Sequence, residues 1–100
     1  MDMNALMRQA QNMQKQLAKK QKEVEEKEFV VASNGGAITI SIMGSKKINS
    51  ITIDEDLLDD KDMLQDLLTV AVNEAIQKVT DEMNKVMSDA TGGMRMPGMF

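Results

Sequence analysis

The sequence predicts an α+β domain: a long N-terminal helix, a three-stranded antiparallel meander and a long C-terminal helix. Three observations carry this. Apolar residues recur at helical spacing through Met3, Leu6, Ala10, Met13, Leu17 and Val24, and again from Leu64 to Val86, as on the buried stripe of a helix. Between them, Ile38, Ile40 and Ile42 alternate with Thr39 and Ser41, and Ile51 and Ile53 alternate with Ser50 and Thr52, the period of two that strands impose. Asn34-Gly35-Gly36 separates two of these apolar runs, and Asn and Gly accept the positive φ that hairpin turns need.

The first helix is expected from Met3 to Lys27, a span of about 37 Å at 1.5 Å per residue. The segment is rich in Ala, Gln, Lys and Glu and holds neither Gly nor Pro, so intrinsic propensity agrees with the periodicity. Gln14 and Gln21 lie on its apolar side and Lys20 takes a seam position. A fully buried helix tolerates such groups poorly, so much of this helix is expected to project. At about 100° per residue, Arg8, Lys15, Lys19 and Lys22 fall within about 60° of one another on the opposite face.

The first strand is expected over Phe29 to Ala32. A two-residue Asn34-Gly35 loop would pair Val31 with Ile38 and Phe29 with Ile40, all on one face. Ala37 to Met43 forms the second strand and Ile48 to Ile53 the third. Lys46-Lys47 suit a type I′ turn badly, so a four-residue loop from Ser45 to Ile48 is expected, pairing Ile42 with Ile51 and Ile40 with Ile53. The result is a meander with one apolar face. Asp59 or Asp60 is placed to cap the last helix, expected from Met63 to Ser88, whose first half should cover the isoleucine face. Gly92 or Gly93 should stop it. Residues 1–91 then make one domain, and 92–100 a Gly-, Met- and Pro-rich tail.

Composition narrows the function. The 100 residues contain no Cys and no His, which removes disulfides, thiolate nucleophiles, imidazole bases and nearly every common zinc or haem site. No enzyme activity, cofactor or metal is expected. No apolar run approaches the roughly 20 residues of a membrane span, and polar residues interrupt any signal-like core, so a cytosolic protein without a membrane partner is expected. The acids from Asp54 to Asp66 lack the Gly and Glu of a calcium loop and suit a helix start, where the dipole favours them. Asn34-Gly35-Gly36 joins strands instead of opening a helix, so it is a turn and not a phosphate loop.

Charge is the remaining clue. The chain has 12 Lys+Arg against 16 Asp+Glu, a net −4, yet up to Lys22 the only acid is Asp2. Local positive charge on a negative protein suits a specific anionic partner. Aromatic residues are absent from that helix, so backbone phosphate contact fits better than base reading. Lys78 and Lys85 share a face of the last helix. Each follows an acid by four residues, Glu74 and Asp81, as on ordinary helix surface, and they are weaker candidates.

These residues resemble a known family over essentially the whole chain. The order runs from Leu6-Met7-Arg8-Gln9-Ala10-Gln11-Asn12-Met13-Gln14 through Gly35-Gly36, Gly44 and Ile53-Asp54. It continues with Asp60, Met63-Leu64-Gln65-Asp66-Leu67-Leu68, Ala71, Asn73 and Ala75, and closes on Gly92-Gly93-Met94-Arg95-Met96-Pro97-Gly98-Met99-Phe100. Together they are similar to the YbaB/EbfC family of bacterial nucleoid-associated proteins. The resemblance implies a cytoplasmic, nucleoid-located, tweezer-like homodimer whose long helices project as prongs. It implies binding to double-stranded DNA, with altered DNA shape, nucleoid organisation and gene regulation. Carried onto this chain, the DNA contacts fall on Arg8, Lys15, Lys19 and Lys22, with Lys78 and Lys85 behind them. The alternative is an adaptor for a DNA repair or replication protein, working through the apolar seam and the Met-rich tail.

Overall fold

A computed structural model describes residues 2–90; the tail and its glycine stop lie outside the described residues. Helix α1 runs Met3–Glu25, β1 Glu28–Ser33, β2 Ile38–Met43, β3 Ile48–Ile53 and α2 Lys61–Ala90, with short 3-10 turns at Asn34–Gly36 and Glu55–Asp59. The strands form one antiparallel sheet in the order β1-β2-β3, the α+β meander expected.

Both helix starts are capped by carboxylates. The Asn4 N–H donates to Asp2 Oδ1 at 3.0 Å, so the one early acid is an N-cap. The Met63 N–H donates to Asp60 Oδ1 at 3.0 Å, which settles the choice between Asp59 and Asp60. Helix α1 ends two residues earlier than expected, leaving Lys27 beyond it. Helix α2 is two residues longer at each end than expected.

The faces are as expected but the partners are not. Val31 pairs with Ile40 and Phe29 with Ile42, because the first loop has four residues, Asn34 to Ala37, instead of two. Asn34, Gly35 and Gly36 all have positive φ, at 56°, 68° and 93°, so the second glycine widens the turn. A shift of two residues keeps every side chain on its side of the sheet. At the second turn Ile40 pairs with Ile51 and Ile38 with Ile53, with an irregularity between Ser41 and Ile42. This loop has three residues: the Met43 N–H donates to the Lys47 carbonyl, and the Lys46 N–H to the Met43 carbonyl, both at 2.8 Å. An odd loop alone would reverse the face; one extra residue, Asn49, restores it.

The core lies between the sheet and α2. Ile38, Ile40 and Ile42 are fully buried under Ala71, Ala75 and Val79, joined by Val24, Phe29 and Leu57. Alanines let the helix approach the sheet closely. Asp54 accepts from the Asp56 N–H at 3.1 Å, capping the 3-10 turn that delivers Leu57 to this core, so the acidic connection also carries an apolar anchor.

Ser33 shares the inner face with Ile38, is 2% exposed, and its Oγ has no hydrogen-bond partner. A buried hydroxyl without a partner costs about 1–3 kcal/mol. Ser33→Ala should therefore raise stability by about 1 kcal/mol, read as a higher denaturant midpoint. A lower midpoint would show that the hydroxyl contributes something the fold needs.

Candidate nucleic-acid interface

The described molecule measures 69 × 23 × 16 Å. Helix α2 spans about 45 Å and α1 about 34 Å at 1.5 Å per residue. The end of α1 meets the middle of α2: Glu25 shares a cleft with Val79, Thr80, Met83 and Asn84, and Val24 joins Val79 in the core. From there the two helices leave the sheet together, and at about 1.5 Å per residue the 21 residues from Val24 back to Met3 carry α1 about 15 Å past Ala90, which lies 11 residues beyond Val79. The pair forms one prong.

Of the α1 seam, only Val24 is buried and Leu17 half-buried, while Met3, Leu6, Ala10 and Met13 are exposed, as is Met7 beside it. The expectation that much of the helix projects holds. Arg8, Lys15, Lys19 and Lys22 are all exposed. Buried Val24 fixes the rotation of α1, so at 100° per residue these four face away from α2. They span about 21 Å along the helix axis. None takes part in an ion pair among the described residues, where the pairs are Lys20–Glu23 at 3.7 Å and Lys78–Glu82 at 3.3 Å.

Lys78 and Lys85 are also exposed, but the structure rearranges their neighbours. Lys78 pairs with Glu82 and not with Glu74. Asp81, expected near Lys85, instead accepts from Gln77 Nε2 at 2.8 Å. A paired lysine offers a phosphate less.

The acids of the run from Asp54 to Asp66 stand apart from the basic row, whereas Glu23, Glu25 and Glu26 at the end of α1 and Asp81, Glu82 and Asp89 on α2 share the prong with it. About 20 Å of α2 separates Asp66 from Val79 at the foot of the prong, and Asp54 to Asp62 lie further along. The charge of that run is thus held a Debye length or more from the row at physiological salt.

In the sequence, Lys46 and Lys47 stand out only as turn residues. They are exposed, on a turn fastened to the end of α1. The Gly44 N–H donates to the Lys27 carbonyl at 2.9 Å and the Ser45 N–H to the Glu25 carbonyl at 3.2 Å. Between this turn and α2 lies an open cleft of about 300 Å³, bordered by Ser45 and Lys46 on one side and Thr80 and Asn84 on the other. Their only trace in the sequence was a lysine pair where a hairpin turn favours Gly or Asn.

The fold and surface define a class: a small α+β protein that offers a row of free cations on a projecting helix. Its sequence matches the profile of the YbaB/EbfC DNA-binding family over residues 1–94. It is 49% identical to a nucleoid-associated protein of Clostridium novyi, covering 100% of this chain and 90% of that protein. It is 48% identical to a nucleoid-associated protein of Ruminiclostridium cellulolyticum, covering 99% and 89%. A crystal structure of an uncharacterised Helicobacter pylori protein superposes with a TM-score of 0.78 at 24% identity, over 92% of this chain and 99% of that one, a likeness of fold. The chain belongs to the YbaB/EbfC DNA-binding family. No helix among the described residues is long and apolar enough to cross a membrane.

Proposed function

We propose that two copies of this chain form a tweezer-like dimer that grips the backbone of duplex DNA in the nucleoid and alters its conformation, and that nucleoid organisation and gene regulation follow from this. The observation that carries the reading is the row Arg8, Lys15, Lys19 and Lys22: exposed, without ion pairs among the described residues, and held away from the acidic end. At about 3.4 Å per base pair, a 21 Å row tracks roughly six base pairs. The role is binding, with no catalytic step. The test is a titration of duplex DNA at two salt concentrations. Binding that weakens with salt is expected, and a folded wild-type chain that ignores DNA at low salt overturns the reading.

Dimerisation draws on the sheet. Helix α2 packs on β1 and β2 and leaves β3 largely uncovered. Ile48 and Ile51, on the same face as the buried isoleucines, are 37% and 41% exposed. β3 is also an edge strand with one row of backbone groups unpaired, the kind of edge another chain readily covers. Sedimentation at micromolar concentration should show a dimer for the wild type and a monomer for Ile51→Lys. A monomeric wild type removes the tweezer arrangement.

The exposed Met3, Leu6, Met7 and Met13 favour a second reading, an adaptor for a DNA repair or replication protein. The same titration separates the two, because the adaptor does not need DNA binding by the free chain.

A further inference from the structure

We infer that the β2–β3 turn is a separate phosphate-binding site, in which Lys46 and Ser45 hold a phosphodiester of the nucleic-acid backbone at the mouth of the cleft beside α2. This rests on the DNA-binding reading and goes beyond its helical contacts.

The argument starts from backbone strain. Lys46 has φ +74°, the left-handed region where a β-carbon is disfavoured and Gly or Asn is the natural occupant. Three-residue hairpin loops need a residue in that conformation, so the turn explains the φ but not the lysine. Nor does packing explain it: Lys46 is exposed and has no ion pair among the described residues. A strained residue whose side chain does nothing for the fold points to a use outside it.

The turn is rigid as well as strained. The Gly44 and Ser45 N–H groups are bonded to the Lys27 and Glu25 carbonyls, and Gly44 is buried against the Val24 carbonyl. Lys46 is therefore presented from a fixed support, which lowers the entropy lost when it binds. Lys47 stands next to it, also exposed.

Placement decides the ligand. Glu25, to which the turn is tied, lies about 4.5 Å along the axis from Lys22, so the turn stands at the foot of the prong just beyond the end of the basic row, on the side of α1 that meets α2. The cleft is also lined by residues with neutral polar groups of the kind that suit phosphate oxygens, Ser45 on the turn and Asn84 on α2. Glu25 also borders the cleft and opposes the site, although its carboxylate already accepts from Gln21 Nε2 at 3.0 Å. One cation and neutral donors beside one carboxylate make a local backbone contact, not a high-affinity pocket for a free anion.

The experiment compares wild type, Lys46→Gly and Lys46→Arg in the duplex titration at several salt concentrations, with thermal melting of each. Lys46→Gly should melt about 2–4 °C higher, because strain is relieved. It should also bind DNA about threefold to tenfold more weakly, with a log–log salt slope shallower by about one per protomer. Lys46→Arg should bind like wild type. If Lys46→Gly binds DNA with unchanged affinity and slope, the site is refuted while the helical contacts stand. A lower melting temperature for Lys46→Gly refutes the strain argument. Failure of the wild type to bind DNA at low salt removes the reading beneath both.

Discussion

Changing Arg8, Lys15, Lys19 and Lys22 together to Gln is expected to reduce duplex DNA affinity by at least about a hundredfold at low salt and to leave the fold intact. The four are exposed and make no ion pair within the described chain. Gln keeps the helix propensity of Lys and Arg, so far-ultraviolet circular dichroism and melting should change little. Affinity should change a great deal, because counterion release dominates binding of this kind. With about four to six phosphate contacts in the proposed dimer, the wild-type log–log salt slope should be near −4 to −5, and the variant's much shallower. The chain carries −4, and the proposed dimer would carry twice that, so long-range repulsion makes salt dependence the sensitive readout. A folded variant that keeps wild-type affinity would move the interface off α1.

The second large effect is on stability. Gly44→Ala should cost about 3 kcal/mol or more and lower the melting temperature by at least about 10 °C. A β-carbon at Gly44 would lie 1.8 Å from the Val24 carbonyl oxygen and 2.6 Å from its carbon. Both are backbone atoms at the end of α1, so no side chain can swing aside. The turn would have to separate from the α1–β1 junction, giving up the Gly44–Lys27 and Ser45–Glu25 hydrogen bonds and disturbing Val24 and Ile42 in the core. A loss below about 1 kcal/mol in chemical denaturation would mean the junction is soft and the turn is not rigidly mounted.

These two residue sets differ in how legible they were. The basic row could be read because helical periodicity is local: once Met3 to Val24 set the apolar seam, the positions of Arg8, Lys15, Lys19 and Lys22 followed. The isoleucine face was legible for the same reason, and survived two errors of register. Loop length was not legible. It depends on three consecutive positive-φ residues at Asn34–Gly36 and on Lys46 and the Asn49 bulge, and composition does not reveal which residue tolerates strain. The cleft was invisible because it brings together Glu25, Lys46 and Thr80, which share no periodic pattern. The ion pair of Lys78 went to Glu82 because side chains on a helix can reach four residues either way. Leu57 was hidden inside an acidic run, where its neighbours suggested only a solvated loop.

The projecting half of α1 has a consequence for how DNA could be held. From Met3 to Gln16 every residue is exposed, and no tertiary contact buries any of these side chains. A helical stretch of about fourteen residues without such support is marginal in water, and the cations of the row repel one another along it. Its amides should open and close far more readily than those of α2 over the sheet. Phosphates laid against the row would remove that repulsion and favour the wound state. Part of the free energy of association is then the free energy of winding a helix, so changes in helix propensity on this segment would shift DNA affinity without touching a single phosphate contact.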